Sequence, residues 1–112
     1  MNTPLFNLFE HLPDARQAEQ FEDILRLPGI RIERIVSCGQ SSPEGYWYDQ
    51  SEGEWVMVLQ GQGVIEFDDG RLLTLNSGDG IHIPPHCPHR VAATTDTTIW
   101  LAVFYGSPTP AQ

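Results

Sequence analysis

The sequence predicts an all-β domain, an antiparallel sandwich or barrel of about seven short strands. Three observations lead there. From residue 30 onward apolar residues recur with period 2 or in short runs, the spacing of strands and not of helices. Turn sequences break those runs at short intervals, most clearly Asp69-Gly70, where glycine accepts positive φ without a Cβ clash. A length of 112 residues, 40% of them hydrophobic, with ten Gly and nine Pro, suits one compact, turn-rich domain.

Taken in order, residues 14–26 read as the one helix. Asp14 with Gln17 resembles a capping box, Ala15, Ala18, Phe21 and Leu25 fall near one face, and Leu27-Pro28-Gly29 stops it. Ile30 to Val36 is the first expected strand, followed by a polar loop from Ser37 to Gly45. Glu54 to Gln60 turns at Gly61-Gln62-Gly63 into Val64 to Asp68, and Arg71 to Leu75 returns after Asp69-Gly70. A further turn at Asn76-Ser77-Gly78-Asp79 leads to Gly80–Ile83, and His89–Thr94 and Thr98–Tyr105 complete the set. The expected organisation is an N-terminal extension and helix over 1–29, a β-domain over 30–106 and a loose tail over 107–112.

Six basic against fifteen acidic residues give a formal charge of −9, which argues against phosphate backbones and anionic lipid as partners. The N-terminus has neither a basic region nor a long apolar run, and no segment approaches a transmembrane span; a soluble, cytoplasmic protein is expected. Cys38 and Cys87 are expected as free thiols, the default in that compartment. Gly61-Gln62-Gly63 lacks the helix and the lysine of a phosphate loop. Unpaired sheet edges invite association, so a homodimer is expected.

Chemistry concentrates in the segment Gly78 to His89, G-D-G-I-H-I-P-P-H-C-P-H. His82, His86, Cys87 and His89 are four potential metal ligands on a stretch that proline stiffens. His82 lies on a strand and is weighted towards structure. His86 reads equally as a ligand or as a turn residue with an unusual backbone angle, and Cys87 as a plain thiol. Glu54 opens an apolar strand. It is either a solvated edge charge or a buried carboxylate that needs a cation, a donor or a proton.

The spacing resembles a known family. Gly78, five residues, Pro84 and then His89 is similar to the second motif of the cupins, and Glu54, six residues, Gly61 to the closing half of their first. The resemblance covers about residues 30–105 and implies a single-domain jelly-roll β-barrel with one central pocket, to which residues 14–26 add one short N-terminal helix. It also implies that Glu54 and His89 point inward from facing strands, where many cupins use these positions as metal ligands. The histidine pair that normally precedes the glutamate is missing: Trp47 and Asp49, or Tyr48 and Gln50, fill its places. His86 replaces the glycine of the second motif and Ala93 its terminal asparagine.

The expected site is therefore Glu54, His89, Asp49 and His86 around a divalent ion (Fe, Zn, Mn or Ni), with Glu54 and His89 also assisting proton transfer. A small polar metabolite is the expected substrate or ligand. The alternative is a metal-free cupin that binds or senses a small molecule. Tyr46, Trp47 and Tyr48 are expected to line the pocket or pack on its wall.

Overall fold

The computed structural model describes residues 5–106, and the expected tail over 107–112 lies outside the described residues. It holds eight strands and, among the described residues, no helix: β1 (Gln20–Leu27), β2 (Ile30–Cys38), β3 (Gly53–Gln60), β4 (Gln62–Phe67), β5 (Leu72–Asn76), β6 (Gly80–Ile83), β7 (His89–Thr94) and β8 (Asp96–Tyr105). They form a five-stranded sheet, β1-β2-β8-β3-β6, and a three-stranded sheet, β5-β4-β7. All pairings are antiparallel. The two sheets stay separate, so the jelly roll is an open sandwich and not the closed barrel expected.

The expected helix over 14–26 is corrected to a turn-rich segment running into β1. Asp14 does not cap a helix; its carboxylate accepts from the backbone and side chain of Arg16. Phe21 pairs with Ile35, Leu25 with Ile32 and Leu27 with Ile30, with a register shift between Asp23 and Leu25. Pro28-Gly29 is thus a hairpin turn, with Gly29 at φ 79°. Ladder hydrogen bonds along β2 override the modest helix propensity of this short segment.

Alternation sorts the side chains. Val56, Val58, Ile65, Phe67, Leu75, Ile83, Trp100, Ala102 and Phe104 meet between the sheets as one buried cluster. Gly63 is required there, because a Cβ at this position would lie 2.2 Å from the Trp100 ring. A charged element closes the outer face. The guanidinium of Arg34, 1% exposed, donates to the carbonyls of Asn7, Leu8, Glu10 and His11 and pairs with Glu22, which straps the N-terminal segment to the sheet.

Candidate functional site

Glu54 near the start of β3 and His89 at the start of β7 project from opposite sheets into one cavity. Both are buried, at 7% and 5% exposure. His89 Nε2 lies 3.6 Å from Glu54 Oε1. The other ring nitrogen, Nδ1, donates to the Cys87 carbonyl at 2.9 Å. That bond fixes the tautomer, so a neutral His89 would turn an Nε2 lone pair towards a carboxylate. Two acceptors face to face are unfavourable, and a proton on Nε2 resolves the conflict. Burial opposes charging of the ring, but the nearby Glu54 carboxylate and the Cys87 carbonyl outweigh it, and the His89 pKa is raised above 6.5.

The loop before β3 completes the pair. Tyr48 N donates to the His89 carbonyl at 2.7 Å and His89 N to the Tyr48 carbonyl at 3.1 Å, an isolated bridge between loop and strand. The Tyr48 ring stacks on the imidazole with centroids 5.6 Å apart. Two residues on, Gln50 donates to Glu54 Oε1 at 3.1 Å. Of the two alternatives for the missing histidine pair, Tyr48 and Gln50 therefore meet the site.

Asp49 points the other way. It pairs with His86 at 3.0 Å, both side chains more than half exposed, and neither lines the cavity. His86 has φ 56° and donates its backbone N–H to the Gln50 carbonyl. It is the turn residue, in the left-handed conformation that the family's glycine would adopt freely. The four expected ligands thus fall into two separate pairs. His82 is also on the outer surface, 2.5 Å from the Tyr105 hydroxyl. Cys38 and Cys87 are free thiols.

About 90 Å³ of the cavity is open to the centre of a water molecule, room for several waters or one small metabolite. Its walls are mostly apolar, with Phe21, Tyr48, Trp100 and Phe104 as the aromatic faces. Two further carboxylates line it. Glu19 accepts from the Ser37 hydroxyl at 2.5 Å, and Ser37 in turn accepts from Trp100 Nε1 at 3.1 Å. Glu33 pairs with Arg31, whose guanidinium also holds Glu52. Burial raises the Glu33 pKa against the lowering effect of Arg31. Sequence reasoning missed both carboxylates. Glu19 was hidden by the helix reading, whereas the alternation of Arg31, Glu33 and Ile35 in β2 was a usable signal for Glu33.

The donor set does not fit the expected metal. Among the described residues no three His, Cys, Asp or Glu side chains come together as a metal site. A catalytic ion needs about three protein ligands, and here one carboxylate and one imidazole engage each other.

The family and structural relatives agree with this fold. The Cupin domain family model matches residues 35–104. A Ralstonia eutropha JMP134 structure, named provisionally as a mannose-6-phosphate isomerase, is 42% identical, with TM-score 0.89 and 94% of this chain and 100% of that one covered. A cupin superfamily protein of Desulfitobacterium hafniense DCB-2 is 18% identical with TM-score 0.78, covering 96% of this chain and 94% of that one. An RmlC-like cupin of Desulfovibrio desulfuricans is 21% identical with TM-score 0.73, covering 91% and 96%. No curated protein matches the sequence. With two motif positions facing each other across a jelly-roll sandwich and the family's own pattern spanning most of the strands, the chain belongs to the cupin family.

Proposed function

We propose that this cupin binds a small neutral or cationic metabolite in its cavity without a metal ion, with Glu54 and His89 as polar anchor and proton-exchanging pair. The observation that carries the reading is the buried Glu54–His89 contact, in which His89 Nδ1 is committed to a carbonyl and Nε2 faces a carboxylate. Such a pair holds one mobile proton. A ligand hydroxyl or amine entering beside it donates to Glu54, while Nε2–H protonates a ligand oxygen, the arrangement general acid/base chemistry requires. The aromatic walls and the carboxylates Glu19 and Glu33 favour an apolar body carrying donors or positive charge.

Arginine bookkeeping argues against a phosphorylated ligand. The six basic residues are all arginine. Each is already paired with a carboxylate: Arg16 with Asp14, Arg26 with Asp23, Arg31 with Glu33 and Glu52, Arg34 with Glu22, Arg71 with Asp69, and Arg90 with Glu66. None lines the cavity. The phosphosugar chemistry in the Ralstonia protein's name therefore has no anion anchor in this pocket.

The competing reading, a divalent ion (Fe, Zn, Mn or Ni) on Glu54, His89, Asp49 and His86, requires Asp49 to turn inward and His86 to leave its turn. Elemental analysis of tag-free protein, paired with calorimetry on a panel of polyols, amines and sugar phosphates, separates the two. The expected result is substoichiometric metal, with binding of a polyol or amine that survives chelator and is lost in Glu54→Gln and His89→Gln. Stoichiometric metal that disappears in His89→Ala overturns the metal-free reading. Preference for a phosphorylated sugar over its parent sugar overturns the ligand class.

A further inference from the structure

Charge is distributed unevenly along the cavity. On the inner face of the five-stranded sheet, register sets the order of the lining residues, because partners directly opposite in antiparallel strands share a face. Trp100, Ala102 and Phe104 face the core, and opposite them on β2 stand Ile35, Glu33 and Arg31. Glu54 on β3 pairs with Phe104, so it belongs to the same end as Arg31 and Glu33. Glu19 belongs to the other end, where it accepts from the Ser37 hydroxyl beyond Ile35. Between the two ends lie Phe21, Ile35 and Trp100, which carry no charge. From Glu33 to Ser37 the extended backbone of β2 runs about 13 Å, so the two ends address separate groups.

Each end holds more carboxylate than cation. Arg31 serves both Glu33 and Glu52, and His89 faces Glu54, which leaves one carboxylate at that end without a cation of its own. Among the described residues Glu19 pairs with no Arg or His, and its partner is a neutral hydroxyl. No Lys or Arg lines the cavity. Carboxylates in a largely apolar hollow call for positive charge. The aromatic faces of Tyr48, Trp100 and Phe104 attract it as well.

We propose that the ligand is a linear aliphatic diamine, with one ammonium between Glu33 and Glu54 and the other at Glu19. Its methylenes lie along Phe21, Ile35 and Trp100. The inference rests on the metal-free reading of the pocket and narrows its ligand from a neutral or cationic metabolite to a dication. Alkylammonium groups keep their protons at neutral pH, as the ordinary lysine value of about 10.4 implies, so both ends arrive charged. A neutral diol fills the same length but leaves the carboxylates unmatched, and a monoamine satisfies one end alone. Glu19 is thereby the residue that selects for a second charge.

The test is calorimetry on the full-length protein with α,ω-diaminoalkanes of increasing length, against the monoamine and the diol of equal length. Short diamines should bind like monoamines, and affinity should step up by about 10-fold or more once the second ammonium reaches Glu19. Glu19→Gln keeps an oxygen for the Ser37 hydroxyl but removes the charge, and it should erase that step. Asp69→Asn removes a charge from an exposed turn of the other sheet and should leave the step intact. Circular dichroism checks that each variant is folded. A diamine no tighter than its monoamine at any length overturns the proposal, as does a step that survives Glu19→Gln or a diol that matches the diamine. In each of those cases, amine binding that survives chelator and is lost in Glu54→Gln leaves the underlying pocket reading standing. Amine binding that needs a metal, or that ignores Glu54→Gln, removes both.

Discussion

Replacing Glu54 by Gln isolates the charge in the buried pair. The amide keeps the volume and leaves an oxygen for Gln50, but removes the negative charge 3.6 Å from His89 Nε2. In the wild type, burial disfavours the imidazolium, yet Glu54 and the Cys87 carbonyl prevail and the folded-state pKa is raised above 6.5. A group that binds its proton more tightly when folded adds stability that is complete below its unfolded pKa. That stability fades as pH climbs through the folded value. A well-made hydrogen bond to a charged group contributes about 1.5–3 kcal/mol. At 3.6 Å this pair is longer than the roughly 2.7–3.2 Å of such bonds, and about 1 kcal/mol is the corresponding contribution. For a domain of this length that is about 4 °C in Tm. Thermal unfolding followed between about pH 6 and pH 9 should show the wild type losing that increment while Glu54→Gln stays flatter. Nitrogen chemical shifts of His89 should report a protonated Nδ1 on both sides of the transition. Parallel pH profiles for the two proteins, or a deprotonated Nδ1 in the neutral form, would refute the shared-proton account.

Three other substitutions probe the surroundings. Gly63→Ala drives a Cβ to 2.2 Å from the Trp100 ring, and calorimetry should record a loss of about 3 kcal/mol together with weaker ligand binding as the indole shifts into the cavity. His86→Gly relieves a left-handed backbone at about 1 kcal/mol and gives back about as much in unfolded-chain entropy. Its melting point should stay within a few degrees and its binding isotherm unchanged; lost binding would return His86 to the site. Arg34→Met should cost about 3 kcal/mol by abandoning Glu22 and the carbonyls of the strap. Hydrogen exchange over residues 7–11 should rise well before global unfolding, and unchanged protection there would contradict the clamp.

Much of the strand pattern was legible because it rests on alternation and turn chemistry. Gly80–Ile83 and His89–Thr94 appear with the bounds expected of them. The same signals failed where they carry two meanings. Leu27-Pro28-Gly29 stops a helix or turns a hairpin, and Phe21 with Leu25 satisfies a helical face or, given a bulge, two positions on a strand. Only the pairing with β2 across the Pro28-Gly29 turn decides between them. In the site, Glu54 and His89 were legible from motif spacing, which records strand geometry. Asp49 against Gln50 was not, since they occupy a loop where no period assigns a face. The structure brings Gln50 to Glu54 and sends Asp49 to His86. Glu19 was hidden by the helix reading of its segment, and Glu33 was signalled only by the alternation along β2, since a charge on a strand looks solvated until the opposing layer is known.

The unequal width of the two sheets carries a consequence of its own. Five strands laid over three leave part of the larger leaf without a counterpart. Phe21 shows it, being directed to the inner side with Ile35 yet 55% exposed. The hollow is therefore a product of strand count, and enlarging side chains at its floor narrows it without sealing it. Its polar end, at Glu54 and His89, is held between both leaves and tolerates little variation in the group it receives. Its outer end, at Phe21 and Glu19, is bordered by one leaf alone and accepts extensions of differing length. Relatives that keep the pair but alter β1 would then share the anchored group and differ in the size of what hangs from it.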